Sequence, residues 1–353
     1  MSVPTLDGIT AEQITTERIS TRLLSSGDAS GDPVVFVHGN VSSATFWEDV
    51  MLALPDRYRG LAYDQRGYGD ADINTKIDAT KGMEDLSEDL KSLLDYLELD
   101  SAHVVGHSAG GSVLWRFMMD YPAMCKSVTL VNPGSPYGFG GTKGLDGIAN
   151  AEDHAGSGGG TVNGAFVEAI DAQDRSDAQG SPRNVLQTFY GKAPFVHERE
   201  EDLLSSMLST HTGPKDYPGN FLTSANWPGV SPGTWGMVNA LSNKHLKDIA
   251  NLYEVEPKPP VLWVVGAEDQ IVSDNSMFDF ATLGKLGLIP NYPGEESIPP
   301  QPMVSQTRHV LQTYAQTGGQ YEEFVIEETG HSPYLDNPDV FNITFHSFLS
   351  AHS

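Results

Sequence analysis

The stretch that decides the fold is Val104-Val105-Gly106-His107-Ser108-Ala109-Gly110-Gly111. It runs from an apolar strand into a Gly-x-Ser-x-Gly turn, and residues 109–120 then read as a helix stopped by Pro122. A serine on such a strand-to-helix turn carries its hydroxyl above the carboxyl edge of a sheet. The flanking glycines let the backbone pass close to its neighbours. The helix N-terminus behind the serine supplies free N–H groups and a positive field for a developing oxyanion.

Short apolar runs flank this element in both directions. Residues 34–37, 59–63, 127–131 and 261–265 are continuous apolar or nearly apolar stretches, as strands covered on both faces should be, and 321–326 reads as the last strand. Between the second and third strands, Met83, Leu86, Leu90, Leu93, Leu94 and Leu97 form one helical stripe. Residues 338–349 read as a closing helix. The expected fold class is therefore α/β, a mostly parallel sheet flanked by helices. The alternation fails after Asn132. The expected division is core 1–132, a helical and loop-rich cap insert 133–257, and core 258–353. Within the insert, helices are expected near 198–208 and 235–252. Inside the last part, 273–319 reads as a second insert, with five prolines between 290 and 302.

A serine hydroxyl needs a base, and the base needs an orienting acid. Asp269 stands just after the strand at 261–265, and His331 on a loop after the last strand, both at the carboxyl edge. The order Ser108, Asp269, His331 is the one expected of this architecture. His38-Gly39-Asn40 follows the strand at 34–37, so the Asn40 and Ala109 N–H groups are the expected oxyanion donors. A second match, Gly229-Val230-Ser231-Pro232-Gly233, is a decoy. Proline follows its serine and has no N–H to donate, so Ser231 is read as a turn residue. His38 is read as an orienter of its loop, His107 as an elbow spacer, His103 as a packed strand residue and Cys125 as a small buried hydrophobe.

With these residues in place, the chain resembles the α/β-hydrolase family. The resemblance rests on His38-Gly39-Asn40, Asp64-Gln65-Arg66-Gly67-Tyr68-Gly69, the Ser108 elbow, the Asp269 loop and the His331 loop, all in the family's order. It implies Ser108 as nucleophile, His331 as general base and acid, and Asp269 as its orienter. The Asp64–Gly69 segment is mainly structural in the family, which usually has serine where Asp70 stands here. The stretch from His38 to Ser43, with Trp47, looks like the matching loop of haloalkane dehalogenases. Those enzymes and epoxide hydrolases attack with a carboxylate, whereas position 108 is serine and position 109 is alanine in place of a halide-binding tryptophan.

Composition narrows the function. Lys plus Arg total 21 and Asp plus Glu total 47, a formal charge of −26 that disfavours nucleic acid. One cysteine rules out an internal disulfide and a cysteine-rich metal site. No apolar run is long enough to span a bilayer. Residues 1–16 lack the apolar centre of a secretory leader, so a cytoplasmic location is expected. No cofactor or metal is expected. The expected function is hydrolysis of a small-molecule carboxylic ester or lactone through a Ser108 acyl-enzyme. The alternatives are amide cleavage, carbon–carbon bond hydrolysis, perhydrolysis, or a non-enzymatic ligand-binding member of the family.

Overall fold

The computed structural model describes residues 3–353. Its centre is an eight-stranded sheet. The strands are β1 (Thr10–Thr15), β2 (Ser20–Ser26), β3 (Asp32–Val37), β4 (Tyr58–Tyr63), β5 (Ala102–His107), β6 (Cys125–Val131), β7 (Val261–Gly266) and β8 (Tyr321–Ile326). Their order is β1-β2-β4-β3-β5-β6-β7-β8. From β4 to β8 every neighbouring pair is parallel, and β2 is antiparallel to both β1 and β4.

Five helices cover the sheet: α1 (Glu48–Ala53), α2 (Glu84–Tyr96), α3 (Ala109–Asp120), α4 (Met303–Gln316) and α5 (Pro338–Ala351). The pleat splits each apolar run between two cores. Val35, Val37, Val104 and Trp263 face one core with Leu90 of α2, Phe117 of α3 and Tyr314 of α4. Val34, Phe36, Val105 and Val264 face the other with Val50 of α1 and Phe341, Phe345 and Phe348 of α5. Each fully buried side chain of this size contributes about 1.5–3 kcal/mol, so double coverage explains the unbroken apolar strands.

Two expectations change, and one hairpin was not anticipated. The β1–β2 hairpin has no apolar run to announce it: β1 is an edge strand whose side chains are mostly exposed. The second insert is shorter than 273–319, because the prolines end at Pro302 and Met303–Gln316 is a core helix. Its buried Met303, Thr307, Val310, Leu311 and Tyr314 form a helical stripe. The helix expected over 235–252 is only Met237–Ala240 and a 3₁₀ turn at Ile249–Tyr253. There the Asn239 side chain binds Gly159 N–H and Gly233 N–H, the Leu241 carbonyl accepts from Phe139 N–H, and Asp248 caps a new turn at Ala250 N–H. Tertiary hydrogen bonds thus replace the helical ladder. The helix expected near 198–208 is Glu200–Leu208.

Candidate active site

Ser108 stands between β5 and α3 with φ 54° and ψ −118°. A non-glycine residue in such a conformation stores about 1–3 kcal/mol of strain and persists only where its surroundings fix it. Here Ser108 N–H donates to the Val131 carbonyl at 3.0 Å, and the Ser108 carbonyl accepts from Gly134 N–H at 3.1 Å and Ser112 N–H at 3.2 Å. The glycines are required by contact. A Cβ on Gly110 would lie 2.2 Å from the Val37 carbonyl oxygen, and one on Gly106 would lie 2.6 Å from the Gly110 carbonyl oxygen. Ser108 itself is half-buried amid buried neighbours.

The structure brings Asp269 and His331 together. Asp269 Oδ1 accepts from Ile271 N–H at 2.7 Å and Val272 N–H at 3.1 Å, which aims Oδ2 at His331. His331 Nδ1–H donates to that Oδ2 at 2.8 Å, and both side chains are buried. The hydrogen bond holds the proton on Nδ1 and leaves Nε2 as the acceptor. No hydrogen bond joins His331 Nε2 to Ser108 Oγ in this structure. Such bonds often tighten only when substrate binds. His331 nevertheless sits against the elbow, since its ring centroid is 4.6 Å from that of His107.

The His331 loop is tied down by residues the sequence reading did not assign to the site. The His331 carbonyl accepts from His107 Nε2–H at 2.8 Å and from Asn132 Nδ2 at 2.9 Å. Asn132 Oδ1 accepts from Gly266 N–H at 3.0 Å, so one amide spans the ends of three strand connections. Asp336 Oδ2 accepts from Gly330 N–H at 2.6 Å and from Lys192 N–H at 2.8 Å. His107 is therefore more than a spacer. The available signal was position, with His107 and Asn132 both at strand ends beside the chemistry.

The Asn40 loop crosses the elbow at close range: a Cβ on Gly39 would lie 3.1 Å from Ser108 Cβ. Among the described residues, the Asn40 and Ala109 N–H groups make no hydrogen bond. Asn40 Oδ1 accepts from Tyr68 OH at 2.5 Å, and the Asn40 carbonyl accepts from Tyr190 OH at 3.0 Å. His38 orients this loop: its Nδ1–H donates to the Gly39 carbonyl at 2.8 Å and its Nε2 accepts from Gln65 N–H at 3.0 Å. Burial pushes His38 down to about 4, so it stays neutral. Burial likewise holds His107 well below the usual histidine range and raises the Cys125 thiol above its own. His103 is buried with Nδ1 2.7 Å from Ser127 Oγ.

Asp64 supports the same loop from below. It accepts from Arg22 Nε at 3.0 Å, Ala44 N–H at 2.9 Å and Asp70 N–H at 2.9 Å. The Asp70 carboxylate, at the position where the family has serine, lies 3.8 Å from Arg22. The decoy Ser231 is in a short strand, Val230–Pro232, paired with Phe221–Thr223, and is not a turn residue. Two cavities, of about 20 and 10 Å³, hold room for about one water each, and neither is lined by Ser108. Among the described residues no cluster of His, Cys, Asp and Glu has the makings of a metal site, and no helix is long and apolar enough to cross a membrane.

A doubly covered sheet with a strained serine turn at its carboxyl edge defines the α/β-hydrolase fold. Residues 32–292 match the model of the alpha/beta hydrolase fold family, and the chain belongs to that family. It is 28% identical over 134 residues to Epoxide hydrolase 1 of Caenorhabditis elegans, covering 38% of this chain and 33% of that protein. It is 36% identical over 107 residues to Putative carbamate hydrolase RutD of Variovorax paradoxus (strain S110), covering 30% of this chain and 40% of that one. The aligned segments thus span well under half of those relatives. The carboxylesterase CesB (YbfK) of Bacillus subtilis superposes with a TM-score of 0.57 at 14% identity, over 97% of this chain and 91% of that chain, a likeness of fold alone.

Proposed function

We propose that this protein is a serine hydrolase that cleaves a small-molecule carboxylic ester or lactone through a Ser108 acyl-enzyme. The observation that carries the reading is the 2.8 Å hydrogen bond from His331 Nδ1–H to Asp269, beside the strained Ser108 turn. His331 Nε2 takes the Ser108 proton as Oγ attacks the carbonyl carbon. The Asn40 and Ala109 N–H groups stabilise the oxyanion, and Asp269 stabilises the imidazolium. The imidazolium returns the proton to the departing alkoxide. Water, deprotonated by His331, then attacks the acyl-enzyme and frees the acid. In this reading residues 133–257 act as a cap over the sheet edge.

Epoxide opening, the activity in the name of one relative, is disfavoured by the nucleophile. Attack by a serine oxygen on an epoxide carbon leaves an alkyl ether with no carbonyl for water to attack, so the enzyme would be spent after one event. A carboxylate nucleophile forms an ester and avoids this. Carbamate cleavage is the second reading, favoured by the RutD similarity. It uses the same groups with a carbamoyl-enzyme in place of the acyl-enzyme. Hydrolysis of p-nitrophenyl esters from acetate to decanoate, beside p-nitrophenyl carbamates and Ser108→Ala, tests both readings. Ester turnover lost in Ser108→Ala supports the first, and turnover of carbamates alone supports the second. No turnover of either contradicts both.

A further inference from the structure

One residue of the insert touches both halves of the candidate site. Tyr190 ends the helical turn Leu186–Tyr190 in the segment between β6 and β7. Its hydroxyl donates to the carbonyls of Asn40 and Val41, each at 3.0 Å. Its own carbonyl accepts from Ser332 N–H at 2.7 Å, next to His331. Its ring stands edge-on to the His331 ring at 6.2 Å and packs against Phe46 at 5.7 Å. The side chain is buried, and burial keeps its hydroxyl protonated and available as a donor.

The loop that Tyr190 grips has reason to need a grip. Val41 has φ 46°, a strained conformation for a β-branched residue. The Asn40 carbonyl held by Tyr190 belongs to the peptide after Asn40 and the Val41 carbonyl to the next one, so Tyr190 restrains the backbone on the C-terminal side of the residue whose N–H is the expected oxyanion donor. Tyr68 fixes the side chain of the same residue through Oδ1. Asn40 is thereby clamped by one tyrosine from the core and one from the insert.

We propose that Tyr190 is a positioning residue through which the insert holds the Asn40 oxyanion loop and the His331 loop in one geometry. The inference rests on the serine-hydrolase reading above. It assigns the insert a part in transition-state stabilisation in addition to covering the site. Tyr190 touches no reacting atom. Its effect passes through the Asn40 N–H, which matters only once the carbonyl oxygen becomes an oxyanion.

The test is Tyr190→Phe, which keeps the ring and the backbone bond to Ser332 and removes only the hydroxyl. The expected result is a fall in kcat of roughly 10- to 100-fold with KM within about twofold, as a misaimed oxyanion donor gives. The inhibition constant of a trifluoromethyl ketone, whose hemiketal places an oxyanion at the same point, rises in parallel. A 4-aminophenylalanine at position 190 restores an N–H donor at the ring tip and recovers kcat. It also serves as the readout should the phenylalanine variant not fold. Gln173→Ala, which removes contacts to the Ile170 and Leu208 carbonyls within the insert, leaves kcat and ketone binding unchanged. An active wild type with kcat and ketone affinity unaltered in Tyr190→Phe, or an equal loss in Gln173→Ala, overturns the inference alone. A wild type inert on esters and carbamates overturns the hydrolase reading and the inference with it.

Discussion

His107 and His331 are joined side chain to main chain: His107 Nε2–H donates to the His331 carbonyl at 2.8 Å. The residue that precedes Ser108 thus holds the His331 loop. Asn132 Nδ2 shares that carbonyl at 2.9 Å, so the support is doubled. We expect His107→Phe to destabilise the fold by about 1 kcal/mol, because Asn132 still serves the shared carbonyl, and Asn132→Ala by about 1–3 kcal/mol, because the Gly266 N–H also loses its acceptor. The double variant should lose about 1–3 kcal/mol more than the sum, since a buried carbonyl is then orphaned. Urea unfolding of all four forms measures this coupling, and additive losses would count against shared support.

Asp269→Asn tests the orienting role. Its amide keeps an oxygen for the Ile271 and Val272 N–H groups. It now presents Nδ2 to His331 Nδ1, which must accept and moves its proton to Nε2, facing the nucleophile. We expect kcat to fall by about 10⁴, the loss seen for the same exchange in a serine protease of unrelated fold, with the melting temperature little changed. A loss under tenfold would remove Asp269 from the triad.

Arg199, between β6 and β7, is paired with Glu48 of α1 at 2.7 Å, and Glu48 is fully buried. Burial is the largest influence on Glu48 and lifts its carboxyl above the usual range, while Arg199 opposes this. Arg199→Ala leaves a buried carboxylate unpaired and should remove about 3–5 kcal/mol near neutral pH. A native pKa above the unfolded one means the native state binds the proton first as pH falls, so acid favours folding in that window. The variant's pKa rises further, and its penalty should shrink toward about pH 5. Urea unfolding of both forms from about pH 7.5 to 5 reads this trend. A penalty that grows with acidity would contradict it.

His38 and His103 are both pushed by burial from 6.5 down to about 4. As pH falls through that interval the unfolded chain binds protons that the native state refuses. Stability is therefore intact above about 6.5 and is lost between there and 4, at about 1.4 kcal/mol per pH unit for each histidine. His103→Asn keeps a polar group beside Ser127 and should flatten the slope by about one proton. An unchanged slope in urea unfolding against pH would show that His103 is protonated in the native state.

The sequence carried those parts of the molecule whose physics is local or doubly covered. Apolar strands such as 34–37 and 261–265 lie between two cores and so announce themselves. The Ser108 turn needs glycines on both sides for contact reasons, which leaves a pattern. The β1–β2 hairpin was silent because an edge strand with exposed faces has no apolar signature. Met303–Gln316 was masked by the prolines before it, although its own stripe is regular. Asn132, Asp336 and Tyr190 hold the candidate site through hydrogen bonds that mostly cross 134 to 199 residues of chain, and no local spacing encodes such a bond. The helix expected over 235–252 is interrupted in the same way, where the Asn239 side chain binds Gly159 N–H and the Leu241 carbonyl accepts from Phe139 N–H.

The most direct measurement is the intact mass of the protein after reaction with a fluorophosphonate, wild type beside Ser108→Ala. One covalent adduct is expected on the wild type, mapped to the peptide carrying Ser108, and none on the variant. Absence of an adduct on a wild type that hydrolyses esters, or equal labelling of Ser108→Ala, would contradict Ser108 as the nucleophile.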